Sequence, residues 1–149
     1  MELNLILDVC IPVVIALLAS GICWLFSHKI FSPSLEVSDL KYNKRSRPYV
    51  NIVNTSKSQE AYEIVCNVSY YDNGNMVYTR LDNMKPMLEV CQKERNKYQL
   101  KLDGSEKTNE LFSKEGHFKI DIVVSYQNRY GVKKNIVKTL IVREDGDNN

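Results

Sequence analysis

The sequence predicts a mainly β protein: an N-terminal transmembrane helix followed by a seven- or eight-stranded antiparallel β-sandwich. Three observations carry this reading. Val9 to Ser27 is an unbroken run without charge. Beyond Ser32-Pro33-Ser34 the apolar residues recur at every second position, which is strand periodicity. Turn-forming pairs such as Asn73-Gly74 and Asp103-Gly104 separate the alternating runs at short intervals. An immunoglobulin-like arrangement is the first expectation and a small closed β-barrel the second. The immunoglobulin hallmarks are missing, since the only Trp, Trp24, lies in the apolar run, and Cys66 and Cys91 are too close in sequence for the usual bridge between sheets.

The apolar run sets the expected location. At about 1.5 Å per helical residue, Val9 to Ser27 nearly crosses a hydrocarbon core of about 30 Å, and Leu3–Leu7 and Ile30–Phe31 can complete the span. A cleaved signal peptide fits less well. Glu2 and Asp8 stand where a basic region is needed, and the run ends in bulky Trp24-Leu25-Phe26. A buried core helix also fits less well, because apolar residues surround every face. Lys29, Lys41, Lys44, Arg45 and Arg47 follow the run, which predicts a single-pass protein of the inner (plasma) membrane with its β-domain in the cytoplasm. Ala16, Ser20, Cys23 and Ser27 fall on one helix face, and small residues there predict helix packing and a homo-oligomer.

The expected organisation is an anchor over 1–31, a β-domain over 32–145 and a disordered tail over 146–149. Leu35 to Tyr42 reads as a first strand, Asn43 to Pro48 as a basic loop and Tyr49 to Val53 as a second strand. Tyr62, Ile64, Cys66, Val68 and Tyr70 alternate with mostly polar residues, giving a third strand with one buried face. Asp72-Asn73-Gly74-Asn75 is a hairpin signal, because type I′ turns need positive φ. Met76 to Leu81 returns as a fourth strand. Met87 to Val90 and Asn96 to Leu102 follow as strands. Ser105 can cap a short helix reaching Phe112. Phe118, Ile120, Ile122, Val124 and Tyr126 alternate strictly, and after a turn over Gln127 to Gly131, Val132 to Val142 forms the last strand.

The chemistry is sparse. All 20 basic residues and 16 of the 18 acidic ones lie from Lys29 onward, a balance of +4, which suits an inner membrane surface or a small anionic ligand and lacks the strong bias of a dedicated nucleic-acid binder, so duplex nucleic acid is not expected. The four cysteines include no C-x-x-C pair, and the two histidines, His28 and His117, belong to no ligand pattern. Nucleophile-elbow, Walker A, H-E-x-x-H and dinucleotide-binding motifs are absent. The expectation is a non-enzymatic protein without cofactor or metal. Asn54-Thr55-Ser56 and Asn67-Val68-Ser69 match the glycosylation pattern, at a frequency that chance explains.

All nine tyrosines lie after the apolar run. Tyr71 and Tyr78 flank one hairpin tip, and Tyr126 and Tyr130 flank another beside Arg129, Lys133 and Lys134. Tyrosine with arginine suits stacking and phosphate pairing, so these residues are the candidate binding site. The layout resembles membrane effectors of bacterial antiphage systems, which implies a cytosolic β-domain that senses a nucleotide signal. A scaffold subunit that docks a protein partner at the membrane, and an extracytoplasmic adhesion-like domain with reversed topology, are the alternatives.

Overall fold

The structure is a computed structural model that describes residues 9–26, 32–43, 46–83, 87–89, 97–113 and 117–142. The chain divides into two compact units, Met1–Ser32 and Pro33–Asn149.

The described part of the first unit holds the helix α1 (Ile11–Leu25), with Pro12 in its first turn, where a missing N–H costs least. Its 15 residues rise about 22 Å, short of a hydrocarbon core of about 30 Å. No helix among the described residues is long and apolar enough to cross a membrane. This corrects the expected transmembrane anchor, the single-pass topology and the inner-membrane location with a cytoplasmic domain. The described helix holds 15 residues, fewer than the about 20 that a span needs. A span needs an unbroken hydrogen-bonded helix, whereas hydropathy counts only apolar residues. The flanks expected to complete the crossing, residues 3–7 and 30–31, lie outside the described residues. Ala16, Ser20 and Cys23 are exposed on α1, and the Ser20 hydroxyl donates to the Leu17 carbonyl at 2.8 Å. Ser27 lies outside the described residues.

The second unit is built from two antiparallel sheets. The first contains β1 (Leu35–Val37), β2 (Lys41–Asn43), β3 (Ser46–Asn54) and β7 (Lys97–Lys101). β7 pairs with β3 over Tyr49–Val53, so β1 and β2 share the other edge of β3. They are the expected first strand, broken in the middle. At the break the Ser38 hydroxyl accepts from the Asn51 N–H at 2.9 Å, standing in for a ladder bond.

The second sheet contains β4 (Ala61–Asp72), β5 (Asn75–Asn83), β6 (Met87–Leu88), β8 (Phe118–Gln127) and β9 (Lys133–Val142). Its order is β5–β4–β8–β9, with β6 pairing the start of β4. Asn73 and Gly74 take φ +49° and +82°, the left-handed pair that a type I′ hairpin requires. The described strands form two separate ladders, so the small closed barrel is not the arrangement.

One core lies between the sheets. Val50, Ile52 and Leu100 face it from the first sheet, and Ile64, Cys66, Val68, Ile120, Ile122 and Val124 from the second. Between β7 and β8 runs α2 (Glu106–Ser113). The Ser105 hydroxyl accepts from the Thr108 N–H at 3.1 Å while the Thr108 hydroxyl accepts from the Ser105 N–H at 3.0 Å, a reciprocal N-terminal cap. Phe112 of α2 meets Phe118 edge to face at 5.0 Å, tying the helix to the start of β8. Asn54 is fully buried and donates to the Gln59 and Leu88 carbonyls, which removes it as a glycosylation acceptor.

Candidate ligand-binding cleft

The cleft begins with a fault in the β4 ladder. Tyr62 pairs with Gln127 and Val65 with Ser125, so Glu63 and Ile64 together oppose Tyr126. This is a β-bulge, and its extra residue is Glu63 at φ +46°. The bulge shifts the parity of the strand. Ala61 and Ile64 both point inward, and Tyr62, which alternation placed in the core, turns outward. There its hydroxyl donates to the Glu60 carboxylate at 2.5 Å. That bond, with some desolvation and the Glu60 charge, pushes the Tyr62 hydroxyl above the usual tyrosine range, and Arg129 opposes the shift.

The facing wall is the β8–β9 turn. Asn128 is buried, and its side-chain oxygen accepts from the Tyr130 and Val132 N–H groups at 2.9 Å each. Gly131 takes φ +78°, a conformation costly for any other common residue, which lets its N–H reach the Asn128 carbonyl at 3.0 Å. The turn holds Arg129 outward, with its guanidinium 5.4 Å from the centre of the Tyr130 ring.

The two sides line an open cleft of about 850 Å³. Glu60, Tyr62 and Glu63 line one side, and Gln127, Asn128, Arg129 and Gly131 the other. Glu63 and Arg129 make no ion pair with each other or with any other described residue. Among the described residues, no three His, Cys, Asp or Glu side chains converge as metal ligands.

The structure separates the candidate residues predicted from sequence. Tyr71 and Tyr78 lie near the β4–β5 tip, where Tyr71 receives Lys119 at 5.0 Å and Tyr78 packs on Tyr70 at 5.8 Å. β4 and β8 run antiparallel, so the β8–β9 turn lies at the opposite end of the sheet, roughly 30 Å away at about 3.4 Å per residue. Tyr126 is buried and donates to the Pro33 carbonyl at 3.3 Å, so it is a core residue. Arg129 lines the cleft, and Tyr130 backs its guanidinium. Lys133 pairs with Gln127 across the ladder and flanks the cleft, whereas Lys134 pairs with Tyr126 on the other face. Sequence reasoning missed Glu60, Tyr62 and Glu63, because nothing in the apolar alternation marks the bulge.

A smaller groove of about 410 Å³ lies between β5 and β7. Arg80 closes much of it, donating to the Lys101 and Asp103 carbonyls. Its Nε approaches the Asp82 carboxylate at 3.1 Å without the alignment of a hydrogen bond, so the contact is an ion pair only. Arg47 pairs with Asp103 at 3.5 Å. Arg80 thereby joins the edges of the two sheets through backbone carbonyls.

No protein-family model and no curated protein matches the sequence. Solved structures give distant likenesses. The structural-genomics target SoR45 is 13% identical with a TM-score of 0.46, over 76% of this chain and 85% of that one. A protein from Archaeoglobus fulgidus is 10% identical with a TM-score of 0.37, over 76% of this chain and 98% of that one. The sporulation control protein Spo0M from Bacillus subtilis is 9% identical with a TM-score of 0.35, over 75% of this chain. The chain spans about half of Spo0M, 49% of its length. Likeness at this level carries nothing about what this chain binds.

Proposed function

We propose that this chain is a non-enzymatic binding module that takes a small polar ligand in the cleft between the start of β4 and the β8–β9 turn. The observation that carries the reading is Glu63. A left-handed residue other than glycine costs about 1–2 kcal/mol, and such strain concentrates at binding and switch sites. Its effect here is specific: it takes a tyrosine out of the core and sets it against Glu60 in a cleft that Arg129 also lines. The cleft's volume falls within the roughly 300–1,000 Å³ of small-molecule sites.

Two groups support the non-enzymatic part. Burial pushes the Cys66 thiol up to about 12, so it stays protonated at neutral pH and is no nucleophile. Burial favours protonation of Asp121 as well, but hydrogen bonds from Lys119 and Thr139 outweigh it and hold the carboxyl below its usual range. Asp121 is thereby an ionised carboxylate whose oxygens are engaged by Lys119 and Thr139.

Amide chemical-shift mapping of the full chain tests the reading, with a panel of small anions, cations and zwitterions. The amides of residues 60–63 and 127–131 should shift together with at least one compound. A panel in which no compound moves this set overturns the cleft as a binding site.

A further inference from the structure

Resting on that reading of the cleft, we infer that its ligand carries an ammonium and a carboxylate on one small molecule: a free amino acid or a short peptide with unblocked ends. The walls carry opposite charge, Glu60 and Glu63 on the β4 side and Arg129 on the turn. The Tyr62–Gln127 ladder pair fixes the two sides to one another, and the Asn128 side chain ties the turn. Glu63 and Arg129 therefore line one cleft without an ion-pair partner among the described residues. Opposite charges that line one cleft without an ion-pair partner among the described residues complement a ligand of the reverse polarity. A purely anionic ligand meets two carboxylates, and a purely cationic one meets Arg129.

The donor and acceptor inventory agrees. An ammonium offers three donors and no acceptor. Glu63 offers a carboxylate without a hydrogen-bond or ion-pair partner among the described residues, Glu60 keeps one oxygen beyond the one bonded to Tyr62, and the Tyr62 oxygen keeps a lone pair. At the other end, the Arg129 guanidinium rests near the Tyr130 ring, and its forked N–H groups match a carboxylate.

Calorimetric titration of the full chain with four probes tests this: L-alanine, trialanine, N-acetyl-trialanine and trialanine amide. Loss of a charge-assisted hydrogen bond predicts that trialanine binds at least about tenfold tighter than either blocked peptide. Arg129→Ala should erase the preference over the amide, and Glu63→Gln the preference over the acetylated form. Both side chains are exposed, and the melting temperature of each variant checks the fold. If Glu63→Gln unfolds the chain, the Arg129→Ala arm decides. Tighter binding of trialanine than of L-alanine assigns a peptide, and the reverse assigns a free amino acid. Equal affinity for blocked and unblocked probes overturns the inference. If the shift-mapping panel moves the cleft amides with an anion or cation while neither L-alanine nor trialanine binds, the ligand class is wrong and the cleft stands. If nothing moves them, both readings fall.

Discussion

The Tyr70 hydroxyl donates to the Leu102 carbonyl at 2.6 Å, linking β4 of one sheet to the segment leaving β7 of the other. Both residues are fully buried. Burial pushes the Tyr70 hydroxyl well above the usual tyrosine range, so it remains a donor. The expected consequence of Tyr70→Phe is a loss of about 1–3 kcal/mol, because the Leu102 carbonyl is left buried and unsatisfied. Urea denaturation measures this, and an unchanged midpoint would show that the bond contributes nothing net.

Ile64 and Ile122 sit at the centre of the shared core, at 2% and 0% exposure. Truncating either to alanine removes buried methyl groups and leaves a cavity. The expected cost is about 2–5 kcal/mol each. Thermal unfolding of the two variants checks it. If both melt with the parent, the inward face of the second sheet is assigned wrongly.

Glu63 allows strain to be separated from fold. Glycine adopts φ +46° freely, so Glu63→Gly relieves about 1–2 kcal/mol and gives back roughly 0.5–1 kcal/mol in unfolded-chain entropy. The melting temperature should hold or rise. Glu63→Val puts a β-branched side chain in the left-handed region and should lower it. A stable valine variant would mean that the bulge does not hold its backbone as described.

Asp121 links stability to acid. Its carboxyl is held below the usual range in the folded chain, so its contribution is present above the unfolded pKa of about 3.9 and is lost as pH falls through the folded value. Asp121→Asn should flatten that part of the acid limb and leave stability changes above about pH 6 independent of pH. Denaturation midpoints of parent and variant from pH 2 to 7 decide it. Parallel curves throughout would remove Asp121 from the linkage.

Sequence alone determined the β character of this chain, most of its strands and most of its core. Alternation at Phe118 to Tyr126 and at Ile64 to Tyr70 is a physical instruction, since successive side chains of a strand point to opposite faces. Asn73-Gly74 determined its hairpin for an equally local reason, the need for positive φ at both residues. The apolar run of α1 shows where local reading stops. Hydropathy counted a span, whereas no helix among the described residues is long and apolar enough to cross a membrane. The cleft was decided by tertiary structure alone. A bulge appears only when two strands pair, and the pairing of β4 with β8 turned Tyr62 outward and brought Glu60 and Glu63 to the cleft that Arg129 lines. Those residues lie more than sixty positions from Arg129 in the chain, and no local pattern encodes a contact that only the antiparallel ladder creates.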